Sequence, residues 1–325
     1  MNKKSIPFVC FVFVSLFASS AWAQKPPKAQ KLSPPKVTTL GEYDVESVWD
    51  LIYAPKSKRL YLSDPKAGDI RAIDLSSGTI YDVKGSFSRP YGLVADPNSE
   101  VIFYCDDGLV SINELNAGRS TPIIRGCKGK GIVFGPEYRS LYFISGSGSD
   151  DMSFYRIMHL DLASGEDIPS TLVRSDYLDE PLRIAIDREE EDLYWYDAGN
   201  NAIVRSNLKG EEMITIHYVR GMITGFVYDA EADLAYYVDG TAGNLVMIDR
   251  KTGRELIMLK NLNAPRGLAY DKDSQVLYTF EIPADMKDRK EPLWVSFKNG
   301  MSRFFAKDKA ALPKPPKPRL LKIEL

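Results

Sequence analysis

Histidine is nearly absent from this chain, with two in 325 residues, His159 and His217. They fall in separate alternating segments, IMHLDL and ITIHYV, so a shared histidine metal site is not expected. Neither stands where a nucleophile would need a base. No GxSxG, HExxH, phosphate-loop or CxxC pattern occurs, which removes the commonest motif-borne hydrolase, nucleotide and dithiol chemistries. There is also no Asn-x-Ser/Thr sequon. Long apolar runs are lacking too: the segment Ile6 to Phe17 is 12 residues, short of the roughly 20 that a spanning helix needs. No transmembrane segment is expected.

The N-terminus carries Lys3 and Lys4, that short apolar run, and then Ala21-Trp22-Ala23 before Gln24. Charge, greasy core and small-x-small site in this order predict a signal peptide over residues 1–23. The chain is therefore expected to be secreted, either to a bacterial periplasm or to the extracellular space. Cysteine is scarce, at three. Cys10 lies in the leader, and Cys105 and Cys127 remain as a pair that an oxidising compartment permits to form a disulfide. Two buried thiols are the alternative.

Residues 24–36 and 302–325 are rich in Lys and Pro and poor in apolar side chains, and are expected to be flexible extensions. Residues 1–36 hold 6 basic and no acidic residues, and 302–325 hold 7 basic and 2 acidic. The body, 37–301, therefore has 29 basic against 42 acidic residues, a net charge of −13 hidden behind the chain's total of −2. An acidic body speaks against nucleic acid as a partner. The basic ends suit either solubilising spacers or an electrostatic contact with an anionic surface.

Aromatic tetrapeptides recur along the body. YWYD at Tyr194 is the clearest, with relatives starting at Tyr61, Phe103, Tyr142, Tyr236 and Tyr278, at intervals of 42, 39, 52, 42 and 42 residues. The long interval contains GSGSDDMSF, Gly146 to Phe154. Seven residues before the anchors an apolar run ends, usually on Asp: Asp96, Asp187, Asp229 and Asp271, with Ala54 and Gly135 in the other two repeats. After each comes an alternating strand that closes on or near Gly, from RAIDLSSG to VSFKNG, and a weaker fourth such as TPIIR or ELIML. Four short strands per repeat make an antiparallel blade, which must stack on others to bury both faces. The fold expected is all-β, a six-bladed β-propeller of four-stranded blades over residues 37–301. Either Val37 to Tyr43 or Leu320 to Leu325 supplies the strand that completes the last blade.

On these residues the chain resembles the YWTD repeats of low-density-lipoprotein-receptor-type propellers and, more distantly, NHL-repeat and gluconolactonase (senescence marker protein) propellers. PLRIAIDREEEDLYWYDAGNNAIVRSNLKG is the repeat nearest the YWTD pattern, and the resemblance covers roughly residues 45–300. It implies that Asp64, Asp106, Asp197 and Asp239 hold blades together. It also implies a role in binding proteins or small molecules, although a fold alone assigns none.

Comparing the starts of the six innermost strands gives Trp49, Tyr91, Lys130, Leu182, Thr224 and Arg266 at one position. The next position reads Asp50, Gly92, Gly131, Arg183, Gly225 and Gly267. Asp50 and Arg183 break the Gly rule in repeats one and four, which a six-fold ring places opposite each other. Trp49, Asp50, Tyr91, Lys130, Arg183 and Arg266 are thus the candidate site for a small polar or anionic ligand or a protein partner's side chain. An internal Asp50–Arg183 ion pair that plugs the channel is the competing reading. Loops rich in Asp and Gly are expected to form an acidic rim around this mouth.

A non-enzymatic, monomeric binding protein without cofactor or metal is therefore expected. The alternative is a metal-assisted lactonase or esterase of the gluconolactonase-like class. That resemblance implies an acid at the start of the first blade, where Asp50 stands, and Asn and Asp at later starts, where Lys130, Leu182, Thr224 and Arg266 stand instead.

Overall fold

The computed structural model describes residues 34–126, 128–136, 139–147, 154–165, 168–283 and 316–325. Among them 24 strands form six four-stranded antiparallel sheets. Strand β1 (Lys36–Glu42) precedes the first blade. Blade one is β2 (Asp50–Ala54), β3 (Arg59–Asp64), β4 (Asp69–Asp74) and β5 (Ile80–Asp82). Blade two is β6 (Leu93–Ala95), β7 (Val101–Asp106), β8 (Leu109–Glu114) and β9 (Arg119–Arg125). Blade three is β10 (Lys128–Phe134), β11 (Ser140–Ser147), β12 (Phe154–Asp161) and β13 (Ser170–Val173). Blade four is β14 (Pro181–Asp187), β15 (Asp192–Asp197), β16 (Ala202–Asn207) and β17 (Ile214–Tyr218). Blade five is β18 (Ile223–Asp229), β19 (Leu234–Asp239), β20 (Asn244–Asp249) and β21 (Arg254–Leu259). Each runs in sequence order, innermost strand first.

Blade six is assembled from both ends of the chain. Its order is β22 (Pro265–Asp271), β23 (Val276–Glu281), β24 (Arg319–Glu324) and then β1. Both candidate closing segments are therefore used, β24 in third place and β1 outermost. The segment Val295 to Gly300, expected to supply a strand of this blade, lies outside the described residues, and the third place belongs to β24. Leu321 and Ile323 of β24 are buried on one face and Leu320 on the other, so neighbouring blades pack against both faces of this third strand. The inner strands contact one another in the order β2, β6, β10, β14, β18, β22 and back to β2, so the ring closes.

Burial follows distance from the axis. The second strand of blade four, DLYWYD, is buried along its whole length, because blades pack against both of its faces. The outermost strands β17 and β21 are mostly exposed. Tyrosines of the second strands stack on tyrosines of the next blade's inner strand: Tyr194 on Tyr228 at 4.6 Å, Tyr236 on Tyr270 at 5.8 Å and, across the closure, Tyr278 on Tyr53 at 6.3 Å. Tyr270 also donates to the Asp229 carboxylate of the preceding blade at 2.8 Å.

In four blades the acid at the YWTD position holds the blade to the loop that leads into it. Asp64 accepts from Glu46 N at 2.7 Å and Ser47 N at 3.1 Å. Asp106 accepts from Ser88 N at 2.9 Å and from Arg89 N, and Asp197 from Asp179 N at 3.0 Å and Glu180 N at 2.9 Å. Glu281 does the same for Asn263 N at 2.8 Å in blade six. Asp239 accepts instead from its own turn, Thr241 N at 2.8 Å and Ala242 N at 2.9 Å. All five acids are buried, and a buried carboxylate is stable only with such donors.

Candidate functional site

The starts of the inner strands crowd together. A Cβ added to Gly92 would lie 2.6 Å from Gly131 Cα, and one added to Gly225 would lie 2.5 Å from the Gly267 carbonyl carbon. Glycine is kept here because neighbouring backbones touch. The two exceptions send their side chains to the next blade. Asp50 accepts Leu93 N at 3.0 Å and Leu51 N at 3.0 Å, and Arg183 Nη2 donates to Thr224 O at 3.1 Å.

Five of the six candidate residues, Trp49, Tyr91, Lys130, Arg183 and Arg266, line one cavity of about 710 Å³. Asp50 is not on that wall. It borders a second cavity of about 540 Å³, lined mainly by the apolar inner strands. The Trp49 indole reaches across the ring: its Nε1 donates to Lys130 O at 3.0 Å, its ring packs edge-on against Tyr91 at 5.1 Å, and the Arg183 guanidinium carbon sits 4.4 Å from its centre. Lys130 Nζ lies 4.2 Å from the Tyr91 ring centre and 5.2 Å from that of Trp49. The aromatic faces thus hold the cations in place.

These cations sit in a site that disfavours them. Burial lowers the Lys130 pKa, and the charges of Arg89 and Arg183 lower it further, against weaker support from Glu180 and Asp107. Burial brings Arg183 down to about 10, with Asp50 opposing the shift and Arg266 adding to it. Arg266 is lowered by burial. The Asp50 carboxyl is raised by burial and pulled back by the Arg183 charge and by the Leu93 and Leu51 amides. Among the described residues, Lys130, Arg183 and Arg266 are in no ion pair, and the competing reading of a direct Asp50–Arg183 pair is not realised within 4.0 Å. Arg183 is 8% exposed, and its Nε is buried without a hydrogen-bond partner among the described residues.

Two contributors were not singled out from sequence. Arg89 lines the same cavity, two residues before Tyr91, and its placement follows from the Asp106 carboxylate that fixes its backbone N–H. The Arg-Pro-Tyr-Gly run at 89–92 parallels Ala-Pro-Arg-Gly at 264–267, which matches Arg89 to Ala264, so comparing the repeats gives no signal for it. Thr224 holds the floor, donating from Oγ1 to Pro265 O at 2.6 Å. Of the acids expected at the rim, Asp64, Asp106, Asp197 and Asp239 are buried and engaged by backbone N–H groups, while most of the acids of the blade-three and blade-six loops lie outside the described residues. Exposed Glu46 remains on the wall of this cavity, and the charge of exposed Asp107 acts on Lys130.

The other chemistry-bearing residues lie elsewhere. His159 is in the third strand of blade three, with its ring 4.8 Å from that of Tyr142, and His217 Nε2 is 3.0 Å from Glu255 between the outer strands of blades four and five. Cys105 is buried in β7, its Sγ 3.8 Å from Gly131 O. Its expected partner, Cys127, lies outside the described residues.

No family model and no curated protein matches the chain. Solved structures do. A chain of a nidogen–laminin complex matches at TM-score 0.56 and 18% identity over 64% of this chain and 78% of its own. A gluconolactonase from Xanthomonas campestris matches at 0.65 and 14% over 89% of each chain. Regucalcin from Agrobacterium tumefaciens, a calcium-binding protein, matches at 0.62 and 14% over 90% of this chain and 95% of its own. Both resembled propeller classes share this fold. At such identities the likeness is one of fold alone.

The residues do not fit the divalent metal that the gluconolactonase likeness would imply. Asp50 stands at the first position, but its two oxygens already take backbone N–H groups, and the Arg183 charge bears on it. Lys130 and Arg266 occupy two of the other positions, and cations there repel a metal ion.

Proposed function

We propose that this protein is an exported, non-enzymatic binding protein that takes a small anionic ligand at the channel mouth. The observation that carries the reading is the set of Lys130, Arg183 and Arg266 around one cavity, in no ion pair among the described residues, with a buried guanidinium nitrogen left without an acceptor. Unpaired buried cations are costly, and a bound carboxylate or phosphate would supply the missing charge and acceptors. The aromatic contacts of Trp49 and Tyr91 support preorganisation, which lowers the ordering cost of binding. The leader-like N-terminus motivates export. The lactonase reading is disfavoured by the cations at the metal-ligand positions.

The test is thermal unfolding of the purified protein with millimolar succinate, phosphate, citrate and butyrate, in parallel with the Arg183→Glu variant. At a hundredfold excess over Kd a ligand adds about 2.7 kcal/mol of stability. A rise in Tm with at least one anion, absent in the variant, supports the reading. No rise with any of them, or an equal rise in Arg183→Glu, sinks it.

A further inference from the structure

The second cavity, of about 540 Å³, is lined by the later parts of the inner strands and the turns that follow them, whereas the cationic cavity is lined by the strand starts. Just past the glycine-rich ring each blade contributes one apolar residue, Leu51, Leu93, Ile132, Ile184, Phe226 and Leu268, and all six border the second cavity. Strand pairing puts them at a common level: Leu51 faces Leu62, Ile184 faces Trp195 and Phe226 faces Tyr237, each the second residue of its aromatic tetrapeptide. The next position is apolar in every blade too, from Ile52 to Ala269, and Ile52, Val94, Val133 and Val227 are half-buried there. Apolar side chains left partly exposed inside a fold gain from an apolar occupant.

Among the described residues the charged side chains of this wall stand at two levels. Arg188, Glu189, Asp229 and Lys272 are at the outer end, where Asp229 accepts from Tyr270 at 2.8 Å and Lys272 pairs with Glu231 at 2.6 Å. Asp50 is at the inner end, half-buried, and it borders this cavity and not the cationic one. Its oxygens take one N–H each, Leu51 N on Oδ1 and Leu93 N on Oδ2, both at 3.0 Å, although a carboxylate oxygen can accept about two. Arg183 sends its guanidinium to Trp49 in the other cavity and makes no ion pair with Asp50 within 4.0 Å. Burial raises the Asp50 carboxyl by more than the Arg183 charge and the two amides lower it. A carboxylate with spare acceptor capacity at the end of an apolar cavity calls for a charged donor.

We propose that the second cavity binds a primary alkylammonium ion, with its ammonium group on the Asp50 carboxylate and its hydrocarbon chain along the two apolar rings. The site is separate from the anion-binding reading above and does not depend on it. A metal ion suits it less, because apolar side chains do not replace a hydration shell. An ammonium group needs fewer partners, and its chain is stabilised by the same wall.

Calorimetric titration of the purified protein at neutral pH with ethylammonium, butylammonium and hexylammonium tests it, with hexanol and hexanoate as controls of equal chain length. Hexylammonium is expected to bind, with affinity rising about fourfold per methylene group buried along the series. Hexanol and hexanoate are each expected to bind at least about tenfold more weakly, since one lacks the charge and the other carries the wrong sign. Asp50→Asn is expected to weaken hexylammonium at least about tenfold and to leave hexanol unchanged. Hexanol or hexanoate as tight as hexylammonium, or wild-type hexylammonium affinity in a folded Asp50→Asn protein, overturns the role of Asp50. Equal affinity for the three chain lengths overturns the apolar wall, and no binding of hexylammonium removes the site. Should Asp50→Asn fail to fold, the comparison of hexylammonium with hexanol and hexanoate on the unaltered protein decides.

Discussion

The Arg183 guanidinium carbon lies 4.4 Å from the centre of the Trp49 ring, a contact between blades four and one across the axis of the propeller. The same indole donates to Lys130 O at 3.0 Å in blade three. One side chain therefore positions two of the three candidate cations. Trp49→Ala is expected to destabilise the fold by about 1–3 kcal/mol through lost packing and cation–π contacts, and to weaken anion binding at least tenfold. Chemical denaturation and calorimetry read the two effects, and Trp49→Phe should recover most of the stability but not the hydrogen bond to Lys130 O.

Arg183 carries a stability cost. Its folded-state pKa of about 10 lies well below the ordinary guanidinium value, so folding disfavours its charged form. That cost is present throughout the range below about pH 10 and is relieved as pH rises from there toward the unfolded value. Arg183→Met is accordingly expected to stabilise the unliganded protein at pH 7, by on the order of 1 kcal/mol, while abolishing anion binding. Urea unfolding at pH 7 checks the first half; a variant less stable than wild type would contradict it.

Anion affinity should be lost early on the alkaline side. Binding needs protonated Lys130 and Arg183, and both have pKa values lowered by burial and neighbouring cations. Affinity is expected to fall as pH climbs toward about 10, whereas a site made of ordinary arginines would hold past that point. A titration series from pH 7 to the alkaline limit of the fold measures it.

Gly92→Ala should be poorly tolerated even though alanine has a good backbone fit, since its Cβ would come within 2.6 Å of Gly131 Cα. Overpacking of backbone on backbone is expected to cost about 1–3 kcal/mol. An unchanged denaturation midpoint would show that the inner ring is looser than described.

The Asp197→Ala variant tests the blade-holding role. It removes the acceptor of Asp179 N and Glu180 N in a buried setting and should cost about 1–3 kcal/mol, with Asp197→Asn recovering part.

Much of this architecture is legible in the residues because the repeat spacing and the Gly rule are both direct consequences of stacking. Reading the six strand starts against one another isolates Asp50 and Arg183, and Lys130 and Arg266 follow from the same alignment. The side of the ring on which each side chain ends up is not legible: Asp50 turns to the Leu93 amide and the second cavity, while Arg183 turns to Trp49. Composition likewise does not distinguish a solvated Asp from one such as Asp64 that caps its own blade. Blade six was half legible. Its third strand comes from the far C-terminus, well beyond the end of β23, where the spacing of the other blades does not lead.

A crystal structure of the protein grown with succinate bears most directly on the site. The expected result is the anion in the cavity of Trp49, Tyr91, Lys130, Arg183 and Arg266, with a carboxylate beside the Arg183 guanidinium. Succinate bound elsewhere, or an Arg183 side chain withdrawn into a direct ion pair with Asp50 and an anion-free mouth, would contradict it.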